Sequence, residues 1–374
     1  MLRTVKDKLL WLPVHAVACI FALPVAIWIS YQWLMGRRRP RQRQAVEDVV
    51  AAFTSRCGGR SGYITVAGYK IHYLEAGPTT GETVILLHGF PESAYSWRHV
   101  LRGLGDKYRV IALDLPGFGS TERVDGVQPS WWRATSQFGP EAIVPVIAGA
   151  VRALCSNDSG VLVPPALVGH DWGGIIAWQV AAQNPTLFTR LAVVNIPHMS
   201  RVARNMNVTR ALHLAYVAFF QLPYLPEAML ALNDGSNFMK TLLKSRAFGV
   251  RNTAYLDATD IEVHRLSFNR SGATGALNYY RAMESWGSAA RKCASDTPLA
   301  MPVLHLHGCD DRFVGMELLR GTDELVAPGF YTLKLVPGAS HWLQQDAAPA
   351  TIDALRMWLQ QPLPKDKAPG RPSN

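Results

Sequence analysis

Ala166-Leu-Val-Gly169-His170-Asp171-Trp172-Gly173-Gly174 is the stretch from which the fold is read. A short apolar run, as expected of a strand buried on both faces, ends at a glycine-flanked turn, and a helical pattern continues to Asn184-Pro185. At a tight strand-turn-helix junction the apex residue is thrust out of the sheet. Its neighbours must be small, because a side chain two positions away would clash. The apex here is Asp171. No G-x-S-x-G occurs anywhere in the chain, so a serine nucleophile is missing and a carboxylate stands in its place. The bland reading is a glycine-rich turn whose Asp caps the next helix. It accounts for the hexapeptide but not for its surroundings.

The same rhythm extends in both directions. Thr83-Val-Ile-Leu-Leu-His88, Arg109-Val-Ile-Ala-Leu-Asp114, Leu191-Ala-Val-Val-Asn195 and Val303-Leu-His-Leu-His307 are continuous apolar runs, and Thr332-Leu-Lys-Leu-Val336 follows. Tyr69-Lys-Ile-His-Tyr-Leu74 alternates and stops before Gly77-Pro78. Strand runs alternating with helical patterns, the last over 349–360, predict a mostly parallel sheet with helices on both faces. Residues 200–295 break the rhythm with long helical patterns and no buried strand. They are expected to form a helical cap over the sheet's carboxyl edge, where open α/β sheets keep their sites. The expected organisation is core over 61–199, cap over 200–295, core again over 296–361, and a tail over 362–374.

The strand ends supply chemistry. His88-Gly89-Phe90-Pro91-Glu92 makes a turn able to aim the Phe90 N–H at the elbow, where the Trp172 N–H completes an oxyanion hole. Gly338-Ala-Ser-His341-Trp342 offers a late histidine. The order nucleophile, acid, histidine then needs a carboxylate after the preceding strand, and Asp310 and Asp311 both stand there. Asp114, His88 and His170 read as turn-holding groups. His305 and His307 share a strand face at i, i+2, but no third ligand cluster has suitable spacing, so no metal is expected.

Composition narrows the classes further. The chain has 374 residues, 48% hydrophobic and 18% charged, too apolar for disorder and long enough for one large domain or two small ones. Its cysteines, Cys19, Cys57, Cys155, Cys293 and Cys309, form no CxxC pair, which argues against a disulfide scaffold or thiolate zinc site. The net charge of +10 sits at the ends: +7 in residues 1–44 and +2 from 361 onward, leaving +1 for the body. A near-neutral body does not suit nucleic acid. Residues 9–35 are 27 positions without a formal charge, with Trp11, Trp28, Tyr31 and Trp33 near the two ends. That is longer than the apolar core of a cleaved signal peptide and long enough to span a bilayer. A basic linker over 37–60 follows. Its arginines outnumber the charges before the run, so the body is expected on the cytoplasmic side of a single-pass anchor over 1–36, in the endoplasmic reticulum. The sequons at Asn157, Asn207 and Asn269 would matter only in the lumen.

Five motifs, HGFPES (88–93), GHDWGG (169–174), FFQLPYLPE (219–227), LNYYRAMESW (277–286) and GASHW (338–342), together resemble the epoxide hydrolase branch of the α/β-hydrolase fold. The likeness covers about 63–360 and is closest to the membrane-anchored relatives of the soluble mammalian enzyme. It implies that Asp171 attacks an epoxide carbon, that His341 oriented by Asp311 activates water, and that Tyr216 and Tyr280 of the cap hold the epoxide oxygen. Tyr279 is adjacent to Tyr280, as Asp310 is to Asp311. It further implies no cofactor, lipophilic substrates such as epoxy fatty acids, and cap residues Phe219, Phe220, Leu222 and Trp286 as tunnel wall or cap core. HGFP and GHDWG alone also fit haloalkane or haloacid dehalogenases, and a tethered, non-catalytic binding protein would keep the same fold.

Overall fold

The computed structural model describes residues 58–232, 235–294 and 298–363, together with Ile27 and Arg56. The run over 9–35 read as an anchor, most of the linker and most of the tail lie outside the described residues. Among the described residues no single helix is long and apolar enough to cross a membrane.

The strands are β1 (Arg60–Val66), β2 (Tyr69–Ala76), β3 (Thr83–Leu87), β4 (Arg109–Leu113), β5 (Glu122–Arg123), β6 (Ala166–His170), β7 (Arg190–Val194), β8 (Val303–Gly308) and β9 (Tyr331–Val336). They form one sheet in the order β1-β2-β4-β3-β6-β7-β8-β9, with β5 paired to β2. β1 and β2 run antiparallel, and from β4 to β9 every pairing is parallel. The strands β3, β4, β6, β7 and β8 are buried because helices cover both faces. Period-two alternation divides their side chains. Val84 and Leu86 pack with Trp97, Leu101 and Trp358 on one face, whereas Ile85 and Leu87 pack with Ile147, Ile176 and Val193 on the other. Each fully buried side chain of this kind contributes about 1.5–3 kcal/mol. β9 is the edge, and its Leu333 and Leu335 remain exposed.

The strand order reverses at β3, which sits between β4 and β6. Chains leaving the carboxyl ends of β3 and β6 therefore diverge and leave a crevice between them. The turn after β3 carries Phe90, and the turn after β6 carries Asp171.

Between β7 and β8 the chain is helical, from Met199–Asn205 to Met283–Ala294. This segment lies on the crevice and is fixed to the core by polar contacts. The Tyr279 hydroxyl donates to the Pro116 carbonyl (3.0 Å) and Trp286 Nε1 donates to the Phe138 carbonyl (2.8 Å). Backbone meets backbone at Gly117 and Gly275, where a β-carbon on Gly275 would come within 2.6 Å of Gly117 Cα.

Candidate active site

Asp171 sits at the end of β6 with φ +49° and ψ −121°, a conformation few non-glycine residues adopt. The turn holds this shape because its flanks are glycines: a β-carbon on Gly173 would lie 2.3 Å from the Leu87 carbonyl oxygen. The Phe90 N–H donates to Asp171 Oδ1 (2.8 Å). Trp172 is the first residue of the helix Trp172–Gln183, so its N–H has no carbonyl to meet within that helix. The second carboxylate oxygen, Oδ2, lies 3.5 Å from His341 Nε2.

His341 is buried on the loop after β9, and its Nδ1 lies 2.7 Å from Asp311 Oδ2. Asp311 is buried, whereas the neighbouring Asp310 is exposed. Asp311 Oδ1 accepts the N–H groups of Phe313 and Val314 (both 2.8 Å), and Oδ2 also accepts Asn195 Nδ2 (2.8 Å). Burial pushes the Asp311 pKa up, but the adjacent His341 charge outweighs it and holds the carboxyl below its usual range. Asp171 is lowered in the same way: burial opposes ionisation, and the contact with His341 overcomes it. For His341, burial favours the neutral ring, yet the two carboxylates raise its pKa to about 10. The resting triad thus carries a cation between two anions.

Above Asp171 lies a cavity of about 480 Å³. Tyr216 and Tyr280 of the cap line it together with Asp171 and His341. The two rings meet edge to face with centroids 6.1 Å apart, and Tyr280 also packs edge-on against the Trp172 indole (5.1 Å). Burial and the Asp171 charge raise both pKa values, so both hydroxyls keep their protons. Tyr279 points elsewhere: it is fully buried against Phe118 and Trp172, with its hydroxyl on Pro116. Phe90, Phe219 and Phe220 contribute apolar wall, whereas Leu222 and Trp286 are not part of it. A larger recess of about 710 Å³ opens between Trp131, Trp132, Gln221 and Arg281, with no nucleophile and base facing one another.

Several site groups escape sequence reasoning. Asn195, at the end of β7 with φ +55°, ties Asp311 to the Ser340 carbonyl. Glu92 meets His170 Nδ1 (3.1 Å) and accepts from Gln345 Nε2 (2.6 Å), while His170 Nε2 donates to the His341 carbonyl (2.8 Å). Met229, Phe248 and Phe313 complete the cavity wall. For Asn195 the available signal is its place at a strand end on the sheet's carboxyl edge; for the others no local pattern exists. The turn histidine His88 accepts from the Leu115 N–H (3.1 Å), and Asp114 accepts from Ala94 and Ser120 N–H. His305 and His307 engage the Tyr331 hydroxyl and the Val314 carbonyl respectively.

The profile of the α/β-hydrolase fold matches residues 82–348. Epoxide hydrolase 4 of Homo sapiens is 30% identical over 355 residues, covering 92% of this chain and 91% of that protein. Epoxide hydrolase 3 of Xenopus tropicalis is 30% identical over 360 residues, covering 94% and 92% respectively. The crystal structure of an epoxide hydrolase from Vigna radiata superimposes with a TM-score of 0.67 at 26% identity, covering 81% of this chain and 98% of that one. An ionised aspartate on a strained elbow, a charged histidine between two carboxylates and two protonated phenols across an apolar cavity thus occur in a chain that belongs to the epoxide hydrolase family of the α/β-hydrolase fold.

Proposed function

We propose that the protein hydrolyses epoxides to vicinal diols by way of a hydroxyalkyl ester on Asp171. One observation carries this reading: the Asp171 carboxylate and the phenols of Tyr216 and Tyr280 line the same cavity. In the first stage Asp171 Oδ2 forms a bond to one epoxide carbon, the ring C–O bond breaks, and the freed oxygen takes a proton from a tyrosine hydroxyl. An alkoxide is a poor leaving group, so an acid must support it. A halide departs without a proton, and the phenols therefore favour the epoxide over the haloalkane. In the second stage His341 takes a proton from water, and the hydroxide adds to the ester carbonyl at Asp171. The N–H groups of Phe90 and Trp172 hold the oxyanion on Oδ1 until the diol oxygen leaves, reprotonated from His341, and the carboxylic acid left on Asp171 then returns its proton to the histidine.

The charge pattern supports this order. Esterification neutralises Asp171 and removes one of the two carboxylates that raise His341. The histidine then gives up its proton, which restores the tyrosine hydroxyl spent on the ring oxygen, and stands as a neutral base when water must be activated. No cofactor enters either stage.

The substrate class is lipophilic epoxides, epoxy fatty acids included. The apolar cavity wall and the uncharged run over 9–35, read as a membrane anchor with the body on the cytoplasmic side of the endoplasmic reticulum, support it. The test is turnover of a terminal aryl epoxide and an epoxy fatty acid beside a chloroalkane and fluoroacetate. Diol from the epoxides, no halide from the others, and loss of diol in Asp171→Ala are expected. Halide release would favour the dehalogenase reading, and an inert wild type a binding protein.

A further inference from the structure

The cavity reaches the surface beside His213 and Phe248, both exposed and both part of its wall. Around that mouth the cap leaves apolar side chains uncovered. Val208 and Leu212, four positions apart and so on one face of the helix Val208–His213, are 78% and 70% exposed. Met206, just before that helix, is exposed as well. Single exposed hydrophobics are ordinary, but a group of them at the entrance to an apolar cavity marks a contact surface. The same segment is basic. Residues 199–251 hold seven lysines and arginines against Glu227 and Asp234, a net +5 that Glu324 and Glu317, paired with Arg201 and Arg210, reduce to +3, against +1 for the body as a whole. Lys240, Lys244 and Arg246 are exposed on the Phe248 side of the mouth.

We propose that this face of the cap docks on an anionic lipid bilayer, with Val208, Leu212 and Phe248 entering the headgroup layer and the cavity mouth opening toward the acyl chains. Apolar side chains flanked by lysines and arginines have the composition of an interfacial membrane-binding surface. The proposal rests on reading residues 9–35 as an anchor and the substrate as lipophilic. The tether alone does not choose the face. Arg56 is held to Asp257 and Asp260 (2.8 and 3.1 Å), and the 20 residues of 36–55 have a maximal reach of about 70 Å, against a radius of gyration of about 19 Å for a 300-residue body. The exposed side chains at the mouth make the choice.

The test uses the full chain in phosphatidylcholine–phosphatidylserine vesicles that carry a trace of phospholipid with a diazirine in its acyl chain. After irradiation, label is expected on peptides spanning 206–214 and 246–251 as well as on 9–35. The double variant Val208→Asp, Leu212→Asp should cut label on 206–214 about tenfold and raise KM for a vesicle-dissolved long-chain epoxide by a similar factor. Its kcat, and its KM for a short water-soluble epoxide, should stay unchanged, which also shows that the variant is folded. Label confined to 9–35, or concentrated on the exposed Trp131 and Trp132 instead, would overturn the proposal. So would a mouth shielded by a second copy of the chain or a protein partner, seen as chain-to-chain crosslinks without lipid label. Because labelling needs no turnover, an enzyme inactive on every epoxide would contradict the hydrolase reading without deciding this one.

Discussion

Asp171 and His341 each set the other's charge, and the two tyrosines across the cavity are held protonated by burial and by Asp171. Removing one phenol leaves the other to support the opening ring. Tyr216→Phe and Tyr280→Phe should each slow single-turnover ring opening within the range of about 10²–10⁴-fold typical of general acids, and the double change should nearly abolish it. Tyr279→Phe should leave the rate intact and lower the melting temperature, because the Pro116 carbonyl loses its donor, at a cost of about 1–3 kcal/mol. A silent Tyr280 change beside a damaging Tyr279 change would reverse the assignment. The histidine also makes stability depend on pH. Its pKa is raised from 6.5 in the unfolded chain to about 10 in the fold. The bound proton therefore stabilises the fold fully below pH 6.5, and that contribution is lost as pH rises through about 10. Asp171 and Asp311 are lowered from 3.8, so their contribution is present above that pH and lost in acid. Between pH 7 and 10 the melting temperature of the wild type should fall more steeply than that of His341→Gln. Parallel curves would show that the histidine is not charged in the resting fold.

The elements position these residues through two seams. At the sheet's switch point the turns after β3 and β6 bring Phe90 to Asp171. At the cap the helix Ala273–Arg281 places Tyr280 over the crevice by packing Gly275 on Gly117. A methyl group at 275 has no room, so Gly275→Ala must lift that helix from the core. Tyr280 lies five residues on, and a shift near 1 Å at a reacting group costs about 10²-fold in rate. Gly275→Ala should therefore lower both the melting temperature and kcat, measured on the purified variant; an unchanged kcat would mean that the seam does not position the tyrosine. Much of the core was legible because buried parallel strands read as unbroken apolar runs and the elbow is local in sequence. Asp171, His341 and the pair Asp310 and Asp311 stand at strand ends in chain order; the family resemblance singles out Asp311, and the structure brings Asp171, Asp311 and His341 together. Asn195 did not stand out, since its partner Asp311 lies 116 positions away and only tertiary pairing joins them. Tyr279 and Tyr280 are neighbours in sequence but point about 100° apart on a helix, so cap packing alone separates them. β1 begins at Arg60, the last residue of the stretch read as linker, because Arg60 pairs with Glu75 of β2 both in register and by a salt bridge (2.8 Å).

Across the whole molecule the charge is divided. The basic ends, the near-neutral body and the basic cap face belong to a chain that we read as tethered and turned mouth-first to a membrane. The tether and most of its linker lie outside the described residues, so their reading stands on hydropathy and flanking arginines alone. With five arginines on the body side of residues 9–35, the body should stay in the cytoplasm and Asn157, Asn207 and Asn269 should carry no glycan. The check is the mass of the full chain from cells with and without glycosidase. A glycosidase-sensitive shift would place the body in the lumen.

The covalent ester is the central claim, and oxygen tracing in a single turnover tests it most directly. Wild-type enzyme in excess over an epoxide, in ¹⁸O-enriched water, should release diol with little label. The peptide containing Asp171 should gain the label instead, because the diol's new oxygen comes from the carboxylate while water attacks the acyl carbon. Labelled diol with an unlabelled Asp171 peptide would mean that water opens the ring directly, and would reduce Asp171 from nucleophile to base.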